Sequence, residues 1–161
     1  MDDKQIRLDR MRYTKNKTSS SFALLAILFN VIYFVGIYKL DVGDYYYKWI
    51  FGVSIIYNLI FMLTIFLCSE GVKNYKINFS VTMIVVGVLQ LVRTQIIPKK
   101  AHNTILALGK TEAPAMTDKQ YRLAIIFILL SAFFLIAGGI IGIIKAKSLK
   151  NYEASLKASN K

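Results

Sequence analysis

The sequence predicts an all-α integral membrane protein, a four-helix transmembrane bundle with a small external loop cap between the third and fourth helices. Three observations point to it. Residues 22–38, 49–68 and 123–144 contain no charged side chain, and 77–97 contains only Arg93. Each run is close to the ~20 residues with which a helix crosses roughly 30 Å of hydrocarbon. Mean hydropathy is +0.47 although the net charge is +12, so the charges are crowded into the segments between the runs. Such basic flanks suit the anionic face of a lipid bilayer, and no nucleic-acid partner is expected.

Residues 1–21 carry six basic side chains, with no apolar stripe beyond Ile6, Leu8 and Met11, and read as a basic cytoplasmic arm. The first helix spans about 22–38. It follows a polar stretch and leads into Tyr38-Lys39-Leu40-Asp41 without a small-x-small cleavage pattern, so it is expected to remain as an anchor. Asp41-Val42-Gly43-Asp44 supplies turn chemistry. Tyr45, Tyr46, Tyr47 and Trp49 suit the water–lipid boundary where the second helix, about 49–68, begins. Gly71 is the expected stop of that helix, and Pro98 with Lys99 and Lys100 closes the third, about 77–97.

The longest connection, 98–122, holds Thr104-Ile105-Leu106-Ala107, Gly109 and Glu112-Ala113-Pro114, which fit a small hairpin folded over the helix ends. Thr117 and Gln120 make a capping-box pattern that starts the fourth helix near Asp118 and runs it to Ile144. Beyond it, 145–161 reads as a basic amphipathic cytoplasmic tail. Leu149, Tyr152 and Leu156 recur there at helical spacing among lysines, as in a surface helix or a continuation of helix four. The chain thus divides into the arm 1–21, the transmembrane domain 22–144 and the tail 145–161.

Orientation follows from the basic residues of the short flanks. Six in the arm, Lys73 and Lys76, and five in the tail would lie inside, against seven outside. Both termini are therefore expected in the cytoplasm and the protein in the plasma membrane.

Several chemistries are excluded. One cysteine, Cys68, and one histidine, His102, make no disulfide framework, zinc site or Cys–His dyad. Their plain readings are a buried small hydrophobe and a solvent-facing loop imidazole. No Asp or Glu occurs in the four runs, whereas ion-coupled carriers use an intramembrane carboxylate. A small multidrug transporter would place a central Glu in its first helix, at the level of Asn30. Phosphate-binding glycine loops, nucleophile elbows and paired-carboxylate spacings are missing from the sequence, so no catalytic residue, cofactor or metal is expected.

What remains is polar side chains inside apolar helices. Leu28-Phe29-Asn30-Val31-Ile32-Tyr33 resembles Ile56-Tyr57-Asn58-Leu59-Ile60-Phe61, which places Asn30 and Asn58 at matching depth, able to bond to each other or to a substrate. Gln90 shares a helix face with Met83, Gly87 and Thr94. Arg93 stands at its shoulder, expected either to anchor or pack, with room to snorkel outward, or to line with Gln90 a polar cavity that binds a ligand or ion. Gly138, Gly142 and Ala146, with Gly139 alongside, form a small-residue ridge suited to internal packing or to a second subunit. The expected function is a noncatalytic accessory or scaffolding subunit docked on a larger membrane protein, in a complex of the plasma membrane such as a transport system. A homo-oligomeric channel or carrier is the second reading and a lipid-modifying enzyme the third.

Overall fold

A computed structural model describes residues 3–38, 45–103, 105–108, 111–114 and 116–159. In chain order these form α1 (Asp3–Tyr13), α2 (Lys17–Tyr38), α3 (Tyr45–Lys73), α4 (Ile77–Thr94), α5 (Ile97–Asn103), β1 (Ile105–Leu108), β2 (Thr111–Pro114) and α6 (Asp118–Ser159). Helices α2, α3, α4 and α6 are long and apolar enough to cross a membrane. Helix α6 is central, packing along both α2 and α4, while α3 lies against α2 and α4. The main core gathers Ala23, Ala26, Phe61, Ile65, Cys68, Val72, Met83 and Leu135. Tyr33, Met116, Ala124 and Ile128 make a second one toward the end that carries α5 and the hairpin, here called the cap end.

Both ends of the predicted spans shift, each for a local reason. The first span starts at Lys17 and not at 22. Asn16 supports the earlier start, because its Oδ1 accepts a long bond from the Ser19 N–H at 3.5 Å and its Nδ2 donates to Ser19 Oγ at 2.9 Å, as an N-cap residue does. Its own N–H donates to the Lys73 carbonyl at 3.0 Å, pinning the α2 start to the α3 end. Most of the arm is itself helical, α1 lying against α6.

Gly71 does not stop the second span, since α3 continues to Lys73. The stop is Tyr75, whose φ of 56° is left-handed. Around it the Lys76 N–H bonds the Gly71 carbonyl at 3.3 Å and the Tyr75 N–H bonds Val72 at 3.1 Å, which is the Schellman pattern with tyrosine where glycine is usual. Gly71 serves packing instead: a Cβ there would collide with the ring of Phe79.

The third span ends at Thr94, and Pro98 belongs to the first turn of α5. A proline fits there because first-turn N–H groups have no intrahelical acceptor. Strands β1 and β2 pair antiparallel, Ile105 opposite Pro114 and Leu108 opposite Thr111. The Thr117 N–H and Oγ1 both donate to Gln120 Oε1 at 2.9 Å, and the Gln120 N–H returns a bond to Thr117 Oγ1 at 3.4 Å, a capping box at the head of α6.

Of the two readings of the tail, continuation holds: α6 runs unbroken for 42 residues, about 63 Å at 1.5 Å per residue. That is roughly twice the hydrocarbon thickness, so its last turns stand beyond any span. The turn 41–44, Gly109 and the side chains of Tyr45, Tyr46, Tyr47 and Trp49 lie outside the described residues.

Candidate functional site

At the cap-end half of the bundle, polar side chains from three helices converge. Asn30 of α2 donates through Nδ2 to Asn58 Oδ1 of α3 at 3.1 Å, the bond that their matching depth predicts. Asn58 Nδ2 in turn donates to the Ser54 carbonyl one turn back, at 2.8 Å. From α4, Gln90 Nε2 donates to Asn30 Oδ1 at 3.1 Å. Asn30, Asn58 and Gln90 are wholly buried.

Arg93 completes the cluster by packing inside the bundle and does not snorkel outward. Only 4% of it is exposed, and its guanidinium points inward. Nη1 donates to Asn58 Oδ1 at 2.9 Å and to Asn30 Oδ1 at 3.3 Å, with Gln90 Oε1 at the 3.5 Å limit, while Nη2 donates to Ser54 Oγ at 3.3 Å. The guanidinium carbon lies 4.6 Å from the Tyr33 ring centroid and 4.7 Å from that of Tyr57, so the cation is held between two aromatic rings. The reason is rotational. Met83, Gly87, Gln90, Arg93 and Thr94 are all buried on α4, which aims Arg93 at amide oxygens rather than at the outer surface. Those oxygens and the ring faces replace water around a charge whose bare insertion would cost about 2.5–3.5 kcal/mol.

Sequence reading missed Ser54, Tyr33 and Tyr57. The signal was there, hidden by chain direction. Antiparallel helices mean that moving toward the cap end raises residue numbers in α2 and lowers them in α3, so Tyr33, three beyond Asn30, shares a level with Ser54, four before Asn58. Gln90 and Arg93 climb the same way on α4.

The small-residue ridge is found inside the bundle, and its use for a second subunit is thereby corrected. A Cβ on Gly138 would meet Phe22 Cβ at 2.8 Å and Met83 Cε at 2.9 Å. On Gly142 it would collide with Ser80 Oγ, and on Gly139 it would lie 2.7 Å from the Ser80 carbonyl oxygen. Ala146 is buried as well. The ridge exists so that α2 and α4 can both approach α6 closely. Toward the opposite end, Ser20 and Ser69 hydroxyls bond at 2.7 Å, and Lys145 Nζ donates to Asn16 Oδ1 at 3.2 Å and Thr18 Oγ1 at 3.1 Å.

Cys68 is buried, as expected. His102 is not a loop imidazole: it sits on α5, its Nε2 2.8 Å from Asp118 Oδ1 and its Nδ1 3.3 Å from Asn103 Oδ1. Its ring lies 4.6 Å from that of Tyr121. With oxygens facing both nitrogens the imidazolium is favoured, and the bonds to Asp118 and then Asn103 raise the His102 pKa above its ordinary value.

Among the described residues no three His, Cys, Asp or Glu side chains come together as a metal site. Comparison with protein-family models, with curated proteins and with solved structures finds no match. The functional reading therefore rests on the geometry.

Proposed function

We propose that the chain is a noncatalytic, multi-pass accessory or scaffolding subunit of a plasma-membrane complex, of the kind found in transport systems, with both termini in the cytoplasm. The observation that carries this reading is the engagement of Asn30, Asn58, Gln90 and Arg93 with one another. A channel or carrier assembled around Gln90 and Arg93 needs those groups turned toward a shared pore. Here they are turned toward α2 and α3 within one chain, where they fix helix register and depth. Orientation is supported by the thirteen of 21 Lys+Arg side chains that fall on the arm, the 69–76 connection and the tail.

With the glycine ridge consumed internally, a larger membrane partner would meet the outer faces of α3 and α4. Val53, Ile56, Ile60 and Leu63 on α3 are each more than half exposed. The test is purification from native membranes in mild detergent. Recovery with a larger membrane protein supports the reading. A stable, partner-free homo-oligomer that conducts ions or solute in liposomes overturns it.

A further inference from the structure

A cavity of about 140 Å³ lies between the cap ends of α2 and α6, walled by Ile32, Tyr33 and Gly36 on one side and Leu123, Ala124 and Phe127 on the other, with Met116 and Gln120 completing it. The two helices contribute residues at the same spacing, so the cavity is a slot running between them. It exists because Gly36 and Ala124 are small: among the described residues, no atom lies within 4 Å of where a Cβ on Gly36 would sit. Tyr33 and Met116 are buried and close its inner side, whereas Ile32 is 38% and Leu123 43% exposed, so the slot opens sideways. In a membrane-spanning protein that opening faces hydrocarbon.

Among its lining residues only Tyr33 and Gln120 carry a polar side-chain group. Gln120 Oε1 already accepts two bonds from Thr117, so what this residue offers a ligand is the N–H of its amide. Water is a poor occupant, since a buried water typically makes about three hydrogen bonds and the lining holds at most two polar side-chain groups, whereas an apolar cavity of roughly 150 Å³ takes a group of about six carbons. A void forfeits contacts for the side chains lining it, and the material adjoining the opening is alkyl chain.

We infer that the slot binds one alkyl chain of a bilayer amphiphile, its first methylenes seated between Gly36 and Ala124 and its ester or hydroxyl oxygen accepting from Gln120 Nε2. The chain can belong to a phospholipid or to a free single-chain alcohol; the chemistry recognised is the same. This inference rests on the membrane-spanning reading and is independent of the accessory role.

The test uses the full chain in phosphatidylcholine vesicles containing either a phosphatidylcholine with a diazirine near the ester end of one chain or a diazirine-bearing fatty alcohol. After illumination, labelled residues are mapped by mass spectrometry. The expected result is about tenfold more label per residue at Met116, Leu123 and Ala124 than at Ile60 and Leu63, equivalent to ~1.4 kcal/mol of preference. Gly36→Leu and Ala124→Leu, which fill the slot, should each abolish the excess while leaving α3 labelling unchanged. Should Ala124→Leu fail to fold, Gly36→Leu still decides, because its new Cβ meets none of the described residues. Excess label from either probe supports the slot and identifies its source. Equal labelling at slot and α3, or an excess that survives Gly36→Leu, overturns it, and absence of label on α3 as well overturns the membrane-spanning reading itself.

Discussion

Arg93→Lys is the change that separates a built cation site from a headgroup anchor. An outward-snorkelling residue needs only a long positive side chain, and lysine would serve. The observed site uses what lysine lacks: a planar fork whose two terminal nitrogens reach Ser54 on one side and Asn30 and Asn58 on the other, and a flat face for Tyr33 and Tyr57. A single ammonium can keep the bonds to the two asparagine oxygens but not, at the same time, the bond to Ser54. Losing that bond costs about 0.6 kcal/mol by the membrane average, and exchanging two desolvated guanidinium stacks for one shorter ammonium costs about 0.5–1 kcal/mol each. The expected loss is thus ~2 kcal/mol, read as a shift in the unfolding midpoint when denaturing detergent is titrated into mixed micelles. Ser54→Ala made in the wild-type and R93K backgrounds should cost less in the second, because the bond it removes is already gone. If R93K unfolds within ~0.5 kcal/mol of wild type, or if the two changes are additive, the guanidinium is not held as described.

Further outcomes follow from other parts of the bundle. In a double-mutant cycle, Asn30→Leu and Asn58→Leu should couple by about 0.6–1.7 kcal/mol in the same unfolding assay, strict additivity ruling out their contact. Gly139→Ala should destabilise by about 1–3 kcal/mol, because its Cβ meets the Ser80 backbone carbonyl; Gly142→Leu should abolish the folded monomer, seen as aggregation on gel filtration, and not merely detach a partner. Tyr75→Gly should raise stability by about 1 kcal/mol, the cost of a left-handed L-residue, and an unchanged unfolding midpoint would show that no strain resides there. The His102 pKa is raised in the folded state, so the clasp to Asp118 contributes fully below the ordinary imidazole value and is lost as pH rises through the folded one. An NMR titration of the imidazole should show the raised midpoint, and Asp118→Asn should bring it back toward the ordinary value.

The sequence by itself determined the four helices long and apolar enough to cross a membrane and the polar positions within them, because helix length against hydrocarbon thickness and the cost of a charge in an apolar run are properties of a chain segment alone. It located the capping box for the same reason, since Thr117 and Gln120 interact within one turn. It also placed Asn30 and Asn58 level with each other, a consequence of two antiparallel spans of similar length. The direction of Arg93 was a different matter. Sequence spacing put it near a helix end, from which an outward and an inward rotamer are both within reach. Only the rotation of α4 against α2 and α3, which buries Gln90 and Arg93 together, decided for the inward one. The glycine ridge had the same ambiguity, for a flat helix face accepts a neighbour from its own chain or from another. Packing of α2 and α4 on the two sides of α6 filled it from within. The helix ends moved because a stop is a matter of free energy: Tyr75 accepts a left-handed backbone that glycine takes without strain, and Gly71 stays within the helix, where its lack of a Cβ leaves room for the ring of Phe79. Contacts between segments distant in the chain, which no local pattern encodes, made those choices.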